Sequence, residues 1–128
     1  MRYLLDTHAL LWWLDEKSSL PAAIRHNIDD GNNTIIVSAA TLWEIAIKKA
    51  LGKFKAPDDL PEILEMNGIS VLPIYAHHAY AVQSLPRLHG DPFDRMLVMQ
   101  AILENLMLIT HDKAVRAYSS LCPPMLCF

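Results

Sequence analysis

The segment Thr34-Ile35-Ile36-Val37-Ser38-Ala39-Ala40-Thr41-Leu42-Trp43-Glu44-Ile45 passes from one structural period to another. Thr34-Ile35-Ile36-Val37 is β-branched throughout, which suits a pleated, buried strand. Residues 40–51 read as a helix with Gly52 as its stop. A strand running straight into a helix is half of a βαβ unit, and the same alternation recurs on both sides. Upstream, Tyr3-Leu4-Leu5 is a short apolar strand and residues 9–14 an apolar helix. A second helix starts around Ser19-Leu20-Pro21 and runs to about Asp29, before a turn at Gly31-Asn32-Asn33.

Downstream, residues 58–66 read as helix, ending near Asn67-Gly68, and Ile69-Ser70-Val71-Leu72 as a strand closed by Pro73. Residues 75–85 are expected as helix and 86–92 as a loop. Residues 94–105 form a nearly all-apolar, hence buried, helix. Met107-Leu108-Ile109 is the fourth strand and 113–118 a short helix. Leu126-Cys127-Phe128 is a candidate edge strand, with Pro123 and Pro124 weighing against it. Strands about 30 residues apart with helices between them predict parallel pairing. Continuously apolar strands agree with burial on both faces. In such sheets functional groups gather beyond the carboxyl ends of the strands.

The chain has 128 residues, 52% hydrophobic and 20% charged, which predicts a single domain over 1–128 with a core of its own. Cys122 and Cys127 have neither disulfide-framework nor zinc spacing and read as reduced thiols. No leader pattern follows Met1, and no apolar run approaches the ~20 residues of a membrane span. A cytoplasmic protein without membrane contact is expected. The net charge of −3 would not hold nucleic acid by itself. A protein of this charge acting on RNA needs positive charge at its site, which a bound divalent cation supplies.

Four acids follow predicted strands: Asp6 after the first, Glu44 two helical turns beyond the second, Asp94 at the start of the helix leading into the fourth, and Asp112 just after the fourth. In a parallel sheet all four can converge on one edge. Converging carboxylates raise one another's pKa and are costly without a cation. Oxygen donors without cysteine favour Mg²⁺ or Mn²⁺. The chemistry suggested is metal-assisted phosphodiester hydrolysis. Each acid also has a capping reading: Asp6 and Asp112 before helices, Thr41-x-x-Glu44 as a capping box, Asp91-Pro92-Phe93-Asp94 as an acid-rich helix start.

Four stretches resemble, in order, the motifs of the PIN-domain family, in particular VapC-type toxins of toxin–antitoxin pairs. They are Leu4-Leu5-Asp6-Thr7-His8-Ala9-Leu10, Ser38-x-x-Thr41-Leu42-Trp43-Glu44-Ile45, Asp91-Pro92-Phe93-Asp94-Arg95-Met96-Leu97 and Leu108-Ile109-Thr110-His111-Asp112. The resemblance implies a three-layer α/β/α sandwich around a parallel sheet of four to five strands, and Mg²⁺- or Mn²⁺-dependent endoribonuclease activity. It also implies a homodimer and inhibition by an antitoxin that covers the site. By motif Asp6, Glu44 and Asp94 match the core acids and Asp112 the more variable fourth position; Asp6 and Asp94 are the expected metal ligands. Asp91 reads as a cap or a group behind the ligands.

Thr7, Ser38 and Thr110 are candidates to hydrogen-bond a carboxylate or a metal-bound water, and Arg95 to contact a phosphate or form an ion pair. Lys48 stands one turn after Glu44, the spacing of a surface ion pair. Lys48, Lys49, Lys53 and Lys55 are the one basic stretch, a solvated helix end or an RNA track. His8 and His111 adjoin candidate ligands, His77 and His78 read as structural, and His89 lies in a loop that can approach substrate. Trp12, Trp13 and Trp43 suit core, dimer interface or base stacking. Two other classes remain: a phosphotransfer enzyme with Asp6 as nucleophile, and a non-catalytic binding module of the same fold. The four glycines form no phosphate-cradling loop.

Overall fold

The computed structural model describes residues 1–121 and 125–128; Cys122, Pro123 and Pro124, and with them any reading of the Cys122 thiol, lie outside. The elements in chain order are β1 (Arg2–Leu5), α1 (Thr7–Leu14), α2 (Ala22–Asp29), β2 (Thr34–Ser38), α3 (Ala39–Ala50), α4 (Leu60–Met66), β3 (Ser70–Leu72), α5 (Ala76–Ala81), α6 (Pro92–Glu104), β4 (Met107–Thr110), α7 (Lys113–Arg116) and β5 (Leu126–Cys127). The strands form one five-stranded sheet in the order β3-β2-β1-β4-β5, and every pairing is parallel.

The alternation along each strand explains the three layers. Tyr3, Leu5, Ile35, Val37 and Ile109 face one way, packing with Leu10, Ile24, Ile28, Ile45, Leu60 and Leu64 of α1 to α4. Leu4, Ile36 and Leu108 face the other, packing with Leu97, Val98, Ala101, Val115 and Tyr118 of α6, α7 and the residues after α7. Two apolar faces on the same strands are what made those strands read as unbroken hydrophobic runs.

Several boundaries differ from the sequence expectation. The helix expected over 75–85 stops at Ala81 and continues as a 3₁₀ turn over Val82–Ser84. The Arg95 guanidinium explains this: it takes the carbonyl oxygens of Val82 and Leu85, both at 3.2 Å, and so fixes a non-helical path. The helix α6 begins at Pro92 rather than Asp94, because the Asp91 side chain accepts from the amides of Phe93 and Asp94 and proline suits the first turn. It ends on Asn105 in the left-handed region, φ 54°, which asparagine tolerates better than most residues. The last strand is only Leu126–Cys127, paired with β4 through Ile109 and Thr110.

The chain starts at the middle of the sheet, builds outward through β2 and β3, then returns to the other side of β1 for β4. The reversal falls between β1 and β4, where a crevice opens beyond the carboxyl ends. Asp6 and Asp112 are the acids that follow those two strands.

Candidate active site

Asp6 is tied to both sides of the crevice. Its backbone N–H donates to the Ile109 carbonyl at 2.9 Å, joining the end of β1 to the end of β4. One carboxylate oxygen accepts from the Ala9 amide at 2.7 Å and so caps α1; the other accepts from Thr110 Oγ1 at 2.7 Å and the His111 amide at 3.0 Å. The side chain is 2% exposed. Burial raises its pKa, although the Thr110 hydroxyl and the two amides oppose the rise. Cap and site readings of Asp6 are therefore compatible: three of roughly four lone-pair positions are filled and one is left. A carboxylate so enclosed is a poor nucleophile, which weighs against phosphotransfer through Asp6.

Thr110 carries the connection onward, since its Oγ1 also accepts from the Asp112 amide at 3.1 Å. Asp112 caps α7 through one oxygen, which accepts from the Ala114 amide at 2.7 Å. Its carboxyl also meets that of Asp94. Asp94, Asp112 and His89 form one cluster whose ligand-type atoms all lie within 4.8 Å of one another. His89 Nε2 stands 2.8 Å from Asp94 Oδ2 and 3.8 Å from Asp112 Oδ2. Burial, with Asp91 and Asp112 adding like charge, pushes Asp94 up to about 7, against the opposing contact from His89. Burial also acts to raise Asp112, but the Ala114 amide, the Asp94 carboxyl and His89 together hold it below the usual range. The pair thus behaves as one acid and one carboxylate sharing a proton.

Glu44 stands on the other flank. It is 4% exposed, on the buried side of α3, with Oε1 accepting from Thr7 Oγ1 at 2.5 Å and Oε2 paired with Lys48 Nζ at 2.6 Å. The Lys48 pair is not the exposed one its spacing suggested. The Lys48 ammonium also feels Asp91 and Asp94, and with Glu44 it bridges the flank of the cluster.

The supporting residues divide. Thr7 and Thr110 hold candidate acids directly. Ser38 is fully buried and caps α3, accepting from the Ala40 amide at 3.0 Å. Asp91 caps α6. Arg95 pairs with no carboxylate among the described residues; its guanidinium sits on the carbonyls of Val82, Leu85 and Pro86 and on the Tyr118 hydroxyl. Tyr118 in turn donates to the Pro86 carbonyl and accepts from the amides of Leu88 and His89. Arg95 and Tyr118 therefore clamp the loop that delivers His89 to Asp94.

His111 is turned away, its ring against Trp12 and Phe128 and its Nδ1 on the Phe128 carbonyl oxygen. Lys49 of the basic stretch is committed to the Ala56 carbonyl and Asp58.

The four predicted acids thus gather at one sheet edge, but not equally. Asp94 and Asp112 touch, Asp6 joins them through Thr110, and Glu44 approaches through Thr7 and Lys48. Among the described residues, neither Asp6 nor Glu44 belongs to a group of three ligand atoms within 4.8 Å of one another. The donor chemistry fits a divalent cation: hard oxygens, two carboxyls in contact, and one of them held up to about 7 and so only partly ionised at neutral pH without compensation. His89 is the member that sequence reasoning left in a loop; its five-residue spacing from Asp94 was the only local signal.

The family profile for the PIN domain matches residues 3–121. Ribonuclease VapC22 of Mycobacterium tuberculosis (strain ATCC 25618 / H37Rv) is 30% identical over 122 residues, covering 90% of each chain. Among solved structures, the crystal structure of VapBC2 from Rickettsia felis bound to a DNA fragment from their promoter includes a chain of the same fold. Its TM-score is 0.69 at 20% identity, over 100% of this chain and 98% of that one.

Proposed function

This chain belongs to the PIN domain family, and on that premise we propose that it is a metal-dependent endoribonuclease, the toxin of a toxin–antitoxin pair. One observation carries the reading. Asp94 and Asp112 bring their carboxyls into contact beside His89, at the carboxyl edge of a parallel sheet, with buried Asp6 linked through the Thr110 hydroxyl to the Asp112 backbone. Such a cluster is unfavourable unless positive charge enters it.

Asp94 and Asp112, with Asp6 behind them, would hold Mg²⁺ or Mn²⁺. When bound, such an ion supplies charge stabilisation to phosphate oxygens and a more acidic water. The protein's own groups keep the donors aimed. Thr110 and the His111 amide orient Asp6, His89 orients Asp94, and the Ala114 amide orients Asp112. Thr7 and Lys48 fix Glu44, whose charge is matched before substrate arrives.

The toxin assignment, with an antitoxin protein as partner, draws on the similarity to a VapC ribonuclease and to a chain from a VapBC assembly. Among the described residues no helix is long and apolar enough to cross a membrane; action in the cytoplasm is part of the toxin reading. The homodimer draws on the resemblance to VapC-type toxins.

Incubation of RNA with the purified chain and Mn²⁺ tests the central claim. Cleavage should appear, stop on addition of EDTA and return with excess Mn²⁺; cleavage indifferent to chelation overturns it. Arrest of growth on induced expression, relieved by a co-expressed partner, tests the toxin reading. Sedimentation of the purified chain tests the dimer.

A further inference from the structure

Beside the carboxylates lies a cavity of about 580 Å³ whose walls include Trp43, Phe93, His89, Arg87, Leu88 and Ile74. It shares its inner wall with the acidic cluster. Trp43 directly precedes Glu44, Phe93 directly precedes Asp94, and His89 touches Asp94 while lining the cavity. Resting on the ribonuclease reading, we propose that this cavity seats one unpaired nucleobase of the substrate against Trp43 and Phe93.

Trp43 is 60% exposed although it sits on a helix with a buried face, and its indole N–H has no hydrogen-bond partner among the described residues. Among the described residues its aromatic neighbour is Phe93, with ring centroids 5.2 Å apart at 75°. An edge-to-face pair leaves a broad ring face open, and a flat base can lie on it without regard to its identity. The volume lies within the roughly 300–1,000 Å³ usual for small-molecule sites, ample for one base and its sugar.

Charge also selects the occupant. Arg87, on the same wall, is exposed and makes no hydrogen bond or ion pair among the described residues, unlike Arg95 nearby. An unpaired guanidinium at the rim, an open aromatic face inside and carboxylates beyond suit a base whose flanking phosphates lie on opposite sides. A base stacked inside a duplex cannot reach such a seat, so its occupant is a base free of pairing.

The test compares the full chain with Trp43→Ala, Trp43→Leu and Trp43→Phe in Mn²⁺, using a fluorescent single-stranded oligoribonucleotide and copies of it carrying one abasic position each. Trp43→Ala and Trp43→Leu should raise KM about tenfold, the usual worth of one base–aromatic stack, with kcat changed less. Trp43→Phe should restore most of the loss. One abasic position should cost the parent a similar factor and cost Trp43→Ala almost nothing further, because base and ring act as a pair. Arg87→Gln should flatten the salt dependence of KM by about 0.7 in log–log slope.

An unchanged KM in Trp43→Leu, or an abasic penalty that persists at every position without the indole, overturns the seat and leaves the cavity to a peptide of a protein partner. Those results arise with a parent chain that still cleaves. A parent that neither binds nor cleaves RNA overturns the ribonuclease reading as well.

Discussion

The two ends of α6 each carry a histidine–carboxylate cluster, and they are built for opposite purposes. At the amino end Asp94 meets Asp112 and His89; at the carboxyl end Glu104 meets His78 and His77. Both contain three groups of metal-ligating type. At the carboxyl end both ring nitrogens of the buried histidine are already engaged. His78 is fully buried, its Nδ1 accepts from the Tyr75 amide at 3.1 Å, and its Nε2 stands 2.7 Å from Glu104 Oε1. An Nδ1 that accepts from an amide places the ring proton on Nε2, pointing at Glu104. An ion there would have to displace that proton. The single carboxylate is lowered in pKa, chiefly by the His78 hydrogen bond. At the amino end two carboxyls crowd together and one is driven up to about 7. The helix dipole sharpens the contrast, since its amino end tolerates acids and its carboxyl end favours the histidine partners. Similar residues make a finished structural joint in one place and an unfinished electrostatic one in the other.

The largest expected effect separates the two ends by activity. Asp94→Asn should lower the cleavage rate by roughly a hundredfold or more while leaving the fold intact. In metal-free buffer at neutral pH this variant should melt no lower than the parent, because it removes a carboxylate that the cluster disfavours. Circular dichroism melting beside the cleavage assay reads both. A large drop in melting temperature would make the amino end structural and erase the contrast.

The complementary substitution should do the reverse. His78→Ala removes a fully buried ring and strands the Tyr75 amide, while Gln100 Nε2 keeps only its bond to the Pro73 carbonyl. A cost of about 3 kcal/mol in urea unfolding is expected, with kcat per folded molecule unchanged. A variant as stable as the parent but inactive would move function to this end.

How much of this was legible depends on the range of the interaction. The strands β1, β2 and β4 were readable because their burial on both faces leaves an apolar run in the sequence, and Asp6 and Asp112 because they directly follow such runs. Asp91 as the cap of α6 follows from local rules about acids and proline at helix starts. His89 was not readable as part of the cluster. Its loop has no period, and its place is set by the Tyr118 hydroxyl, about 30 residues away in sequence, and by Arg95. The break in α5 has the same origin, since a guanidinium from α6 claims carbonyls a continuous helix would have used. Glu44 shows the converse: its i,i+4 lysine suggested an exposed pair, and only the packing of α3 reveals a buried carboxylate.

The smallest effect sharpens the comparison at the carboxyl end, through pH. Glu104 titrates below its ordinary value of 4.5 because His78 stabilises the ionised form. A carboxyl group depressed in the folded state binds fewer protons there than in the unfolded chain. Its stabilisation is therefore complete above the unfolded value and is lost as pH falls through the folded one. Glu104→Gln keeps an oxygen to accept from Nε2 and removes only the charge. It should melt slightly below the parent at pH 7, by about 2 °C or less because the carboxylate is partly in solvent, and the gap should close as pH falls through the lowered value of Glu104. A difference that persists unchanged at low pH would assign the joint to packing rather than charge. The two ends of α6 would then differ in crowding alone.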